Sequence, residues 1–191
     1  MIFPLNSGHQ EFFSIMENHQ DKLSDPQIKQ AYVQCLKVLA KRDYSRPKLL
    51  KKLKTYGIDD KTALEAIDII DGEGFLQEDL YIQARIQAFM KKGLSPHFIR
   101  SKLYEEQLDV SLEFIEEVFS EHQMDTNKQI QQLLIKKTNS LDLSSCDRDK
   151  IFKIKRRLIN YLSSKGHGPS QTIDAASNIL KKLTCNNSNT L

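Results

Sequence analysis

The side chains in this 191-residue chain that could drive acid–base or metal chemistry are five histidines, three cysteines and a dense run of carboxylates. The histidines are His9, His19, His97, His122 and His167, and none falls in an H-E-x-x-H pattern or at another paired ligand spacing. Cys35, Cys146 and Cys185 form no C-x-x-C pair and suit neither a disulfide framework nor a zinc site. Their number and spacing fit a reducing cytoplasm. Glu105, Glu106, Asp109, Glu113, Glu116 and Glu117 could in principle pair as acid and base. At that density on helical segments they read as a solvated or salt-bridged face. No glycine-rich phosphate loop is present. The expectation is a protein that is not an enzyme and needs no cofactor or metal.

The remaining chemistry is that of charge. The net charge of +3 conceals an alternation along the chain. Residues 31–58 hold eight Lys or Arg and one acid, and residues 59–80 hold one base and eight acids. Residues 81–103 hold five bases and no acid, and residues 104–125 eight acids and no base. Residues 126–191 carry twelve bases and four acids. Exposed ion pairs contribute little stability, so stability alone is a weak reason for such segregation. Basic stripes suit a polyanion or an acidic protein groove.

Helices position these charges. Tyr32, Cys35, Leu36 and Leu39 recur at threes and fours, as do Leu49, Leu50 and Leu53, then Leu64, Ile67 and Ile70. Ser45 and Asp59 are placed to cap the second and third of these helices, and Gly57 suits the left-handed position after the second. The pattern returns fifty residues on. Asp79 is placed as a cap, Ile82, Ile86, Phe89 and Met90 form a stripe, and Gly93 ends it. Ser95-Pro96 then starts a helix burying Phe98, Ile99 and Leu103, and Phe114, Ile115, Val118 and Phe119 mark the next. A third, fainter copy holds Ile130, Leu133 and Leu134, then Ile151, Ile154, Leu158 and Leu162, then Ile173, Ile179 and Leu180. A Gly166-His167-Gly168-Pro169 turn separates its last two helices.

The predicted fold is all-α: three tandem three-helix, helix-turn-helix-like repeats in an elongated, curved array. The predicted segments are an N-terminal extension (1–27), repeat one (28–76), repeat two (77–123), repeat three (124–183, with a loop at 138–147) and a flexible tail (184–191). The extension contains a possible amphipathic helix around Phe12, Phe13, Ile15 and Met16. The opening Met1-Ile2-Phe3-Pro4-Leu5 lacks the basic region of a signal peptide, and no apolar run is long enough to span a membrane.

Helical periodicity opposes Lys48, Lys51 and Lys52 to the buried leucines of repeat one, flanked by Arg46 and Lys54 and joined by Lys41 and Arg42. Repeat three echoes this with Lys153, Lys155, Arg156 and Arg157. Repeat two is thinner, with Arg85, Lys91, Lys92, Arg100 and Lys102. These sixteen residues are the candidate binding positions, and the two denser sets suggest two grips on an elongated partner.

Ala40-Lys41-Arg42-Asp43-Tyr44-Ser45, followed by Leu49 through Leu53 to Gly57, resembles the opening repeat of the RecX family. Gly74-Phe75-Leu76, Asp79, Gly93 and Ile99-Arg100-Ser101-Lys102-Leu103 resemble its second repeat, and the resemblance extends over residues 31–182. It implies a bacterial, cytoplasmic, non-enzymatic modulator of RecA, usually an inhibitor. Such a protein lies along the groove of the RecA–DNA filament and limits its extension, strand exchange and coprotease activity. The resemblance thus implies a RecA filament as partner, with single-stranded DNA a further possibility and the protein acting as a monomer. Three features depart from the family pattern: Lys48 where Glu is usual, Gln107 where Gly is usual, and the long segment from Thr138 to Asp147. A stand-alone helix-turn-helix DNA-binding protein is the competing reading. It is disfavoured because no repeat offers an Asn/Gln/Arg-rich recognition helix and no dimer segment is evident.

Overall fold

The computed structural model describes residues 23–139, 141 and 147–188, with the side chains of the last helix described as far as Thr184. The helices in chain order are α1 (Pro26–Leu39), α2 (Arg46–Lys54), α3 (Asp60–Gly72), α4 (Glu78–Lys91), α5 (Pro96–Glu105), α6 (Leu112–Glu121), α7 (Thr126–Thr138), α8 (Arg148–Ser163) and α9 (Pro169–Ser188). The described residues are all-α, and their helices touch in groups consistent with a repeated helical array. They divide into two compact units between Gln83 and Ala84, within α4. The Phe12–Met16 stretch and Cys146 lie outside the described residues, as does most of the segment between α7 and α8. The last helix runs past Thr184, where a tail was expected, to Ser188.

In the first unit α1, α2 and α3 pack on one another around Cys35, Leu49, Leu53, Ala66, Ile67 and Ile70. The third helix turns Ala63 and Ala66 inward and leaves Leu64 38% exposed, so the expected Leu64 stripe is rotated. Small alanines there let α1 and α3 approach closely. Tyr32 of α1 clasps the end of α3 by donating its hydroxyl to Glu73 Oε2 at 2.7 Å.

The start of α2 corrects a local expectation. Ser45 has the extended backbone of an N-cap, but its buried hydroxyl has no hydrogen-bond partner among the described residues. The Arg46 N–H instead donates to Glu78 Oε1 at 2.7 Å. A carboxylate from the first turn of α4 thus caps α2, where it also meets the positive end of the helix dipole. Asp79 likewise differs from expectation: α4 begins at Glu78, which leaves Asp79 inside its first turn. Asp59 and Ser95 cap as expected, accepting from Thr62 N–H at 3.1 Å and Phe98 N–H at 3.3 Å.

In the second unit α5 packs on α6, and α7, α8 and α9 enclose Ile130, Leu134, Leu158, Leu162, Ala176 and Leu180. Ile173, expected inside, is 45% exposed, and Ala176 takes the interior position. Two glycines let the turns of this unit interlock. A Cβ on Gly93 would run into the Leu133 side chain, and one on Gly166 into Phe98 Cβ and Ser95 Oγ. Polar groups close the same junction. Ser95 N–H donates to Lys165 O at 2.9 Å and Ser95 Oγ to Gly166 O at 2.7 Å. Gln129 Nε2 donates to Met90 O at 3.1 Å, occupying a carbonyl at the end of α4.

The ends of α2, α5 and α8 are alike, and the same cap closes α3, α4 and α6, where Phe75 N–H returns to Ile70 O, Leu94 N–H to Phe89 O and Met124 N–H to Phe119 O. After α2, α5 and α8 the chain turns through left-handed residues, Gly57 (φ 80°), Gln107 (φ 63°) and Gly166 (φ 83°). In each turn a following N–H reaches back to a fully buried leucine: Ile58 to Leu53 O, Leu108 to Leu103 O, and His167 to Leu162 O. This is the backward bond of a Schellman cap. Gln107 therefore adopts the conformation itself where glycine would be unstrained.

Candidate interaction surface

The sixteen candidate cations fall into two sets: those bound to other side chains of the protein and those open to a partner. Arg46 forms ion pairs with Asp68 and Asp71 of α3. Lys54 meets Asp60 at 2.8 Å. Lys48 is half-buried, donating to the Tyr81 hydroxyl at 2.6 Å with its ammonium 5.3 Å from the ring centre. Lys52 lies 4.9 Å over the Tyr56 ring and Arg42 4.6 Å over Tyr44. Lys41 and Lys51 are exposed. The lysine stripe of α2 is thus partly used to join α2 to α3 and α4.

In the second unit Arg85 is bound to Glu106, its Nε donating to Oε2 at 3.1 Å, and lies 4.5 Å from the Phe89 ring centre. Lys102 pairs with Glu105 at 2.8 Å. Lys91, Lys92 and Arg100 are exposed, and Lys92 lies 5.7 Å from the Phe89 ring. Glu113 is held below the usual carboxylate range by hydrogen bonds from its own backbone and Ser111, with a smaller contribution from Arg100.

Helix α8 differs. Lys153, Arg156 and Arg157 are exposed and Lys155 is half-buried, and none has a carboxylate partner among the described residues. The sequence reading missed two further cations on this helix, Arg148 and Lys150, both exposed. It also missed Phe152, which is 68% exposed. The helical period carried the signal for Phe152: Ile151, Ile154, Leu158 and Leu162 fill the inward stripe and leave residue 152 off it.

Two groups bear on chemistry. Cys35 is fully buried, and burial pushes its thiol up to about 12, which makes it a core residue and an inert one. His167, expected in a turn, is almost fully buried, with Nε2 donating to Gly93 O at 3.1 Å and Nδ1 without a partner among the described residues. Burial lowers its pKa and favours the neutral ring. Among the described residues no group of three or more His, Cys, Asp or Glu could hold a metal ion, and no helix is long and apolar enough to cross a membrane.

No protein-family model matches the chain. Among curated proteins, it is similar to the regulatory protein RecX of Acinetobacter baylyi, with 24% identity over 129 residues, which cover 68% of this chain and 75% of that protein. The described residues are thus all-α with exposed basic faces, and the chain has a distant homology to a RecX protein.

Proposed function

We propose that this protein is a non-enzymatic regulator that binds the RecA recombinase filament on DNA and limits its recombinase and coprotease activities. The observation that carries this reading is the similarity to a regulatory protein RecX over 129 residues, which is most of both chains. The recurring helix ends support it: the same cap closes the second helix of each proposed three-helix module, at Leu53, Leu103 and Leu162, and the third helix of the first two, at Ile70 and Phe119. Modules of this kind suit a long, repetitive partner better than a compact one. The open cations Lys41, Lys51, Lys153, Arg156 and Arg157 would face acidic filament surface or the bound strand. A monomer acting in the cytoplasm goes with this reading.

RecA-catalysed ATP hydrolysis and strand exchange on single-stranded DNA, titrated with the full chain, test it. Both should fall as the protein approaches stoichiometry with RecA. Unchanged rates at equimolar protein would sink the proposal.

A further inference from the structure

We propose that the outer face of α8 is a stacking platform for a single-stranded nucleic acid, with Phe152 taking a base and Arg148, Lys155 and Arg156 the flanking phosphates. Leu158 and Leu162 of α8 are buried, whereas Phe152 is 68% exposed. The helical step places residues 148, 149, 155 and 156, which are i−4, i−3, i+3 and i+4, around the ring, so three cations and one acid, Asp149, surround it. Arg148 and Arg156 lie about 6 Å along the axis to either side of Phe152. No cation covers the ring among the described residues, so its π face is open.

Charge complementarity selects the occupant. Helix α8 carries Arg148, Lys150, Lys153, Lys155, Arg156 and Arg157 against Asp149 as its one acid. An acidic peptide would satisfy these cations but has no use for an aromatic face set among them. A single strand offers flat bases alternating with phosphates, and base–aromatic stacking accepts any sequence. A duplex has its bases already stacked and paired, which leaves the ring unused.

Other exposed rings lack this setting. Tyr104 neighbours Glu105, which binds Lys102. Phe75 sits between α3 and α4 close in sequence to Glu73, Glu78 and Asp79. Tyr56 is the nearest parallel, but Lys52 already covers its ring. This inference rests on the RecA reading only for where a strand would be met. Binding itself is measured on free oligonucleotide without RecA, so each can fail alone.

The chain contains no tryptophan, so Phe152→Trp introduces a single indole reporter. Titrating F152W with oligothymidylate should quench that indole, while the same titration of Phe75→Trp should leave its indole unchanged. By anisotropy of a labelled oligothymidylate, Phe152→Ala should weaken binding roughly 5- to 100-fold. The salt slope should stay the same in that variant. The double variant R148A/R156A should make the slope shallower by about 1.4, at about 0.7 per single-strand phosphate contact. Circular dichroism of each variant should match the parent, because the altered side chains are exposed. Three outcomes would overturn the proposal: wild-type affinity in F152A, no quenching of F152W with bound oligonucleotide, or binding to polyglutamate but not to oligothymidylate.

Discussion

Helix α2 carries five basic residues and α8 six, and both end on a left-handed glycine turn that returns a hydrogen bond to a buried leucine. Their surroundings put this charge to different use. Helix α2 packs against α3, which offers Asp60, Asp68 and Asp71, and lies within reach of Glu78 and Tyr81 of α4. Helix α8 packs against α7 and α9. Helix α7 contains no acid and α9 only Asp174. The cations of α2 are therefore partly drawn into joining helices, and those of α8 remain available. Charge segregation along a sequence thus does not itself mark a binding face. The neighbouring helices decide, and the two dense basic sets, alike in sequence, are unequally engaged within the protein.

The largest expected difference lies at the helix ends. Gly57→Ala meets no neighbouring atom, so it costs only left-handed strain, about 1–2 kcal/mol. Gly166→Ala adds a collision with Phe98, for about 2–5 kcal/mol in all. Urea midpoints of the two variants check this, and equal losses would remove the asymmetry. Next comes affinity. Replacing Arg148 and Arg156 with Ala should weaken oligothymidylate binding at 0.1 M salt about 25-fold, at roughly fivefold per lost contact, without lowering the urea midpoint. Arg46→Ala should do the reverse, with little effect on binding and a stability loss of about 0.5–1 kcal/mol, because its pairs are partly exposed.

A smaller contrast separates the two N-caps. Asp147 accepts from Lys150 N–H at 2.7 Å, so Asp147→Ala should cost about 1 kcal/mol. The Ser45 hydroxyl accepts nothing among the described residues, so Ser45→Ala should be neutral or stabilising in the same thermal melts. The smallest effect is acid softening of the unit that holds α8. Burial depresses the folded-state pKa of His167, so below its ordinary 6.5 the unfolded chain takes up the proton first. Its contribution is present above about pH 6.5 and declines as the pH falls through that value toward the folded pKa. No histidine lies among the described residues 23–83. Hydrogen exchange at pH 7 and 5.5 should therefore show loosening near Gly93 and His167, and His167→Gln should flatten the dependence.

Local signals in the sequence carried much of this architecture. Asp59, Ser95, Gly57, Gly93 and Gly166 announce helix boundaries because a cap or a positive φ is decided within a few residues. The leucine at each repeated helix end was legible for the same reason. What the sequence hid is long-range. Nothing near Ser45 says that Glu78, which accepts from Arg46 N–H thirty-two residues before it, will take its role. Nothing near Lys48 shows that Tyr81 will hold it. The Leu64 expectation failed because the close approach of α1 and α3 favours Ala63 and Ala66 at the contact. For the candidate surface, residue types were legible, but their engagement depended on which helix packs beside which.

Gln107 and Gln123 both hold positive φ, 63° and 52°, and they bracket α6. Each would gain about 1 kcal/mol or more as glycine, a residue that enters this region without strain. The segment between them is therefore held at both ends by backbone that local opening would relax. On gentle warming with a dilute protease, the first nicks within the described residues should fall at these two turns, releasing α6 as the fragment that marks their thermal weak point.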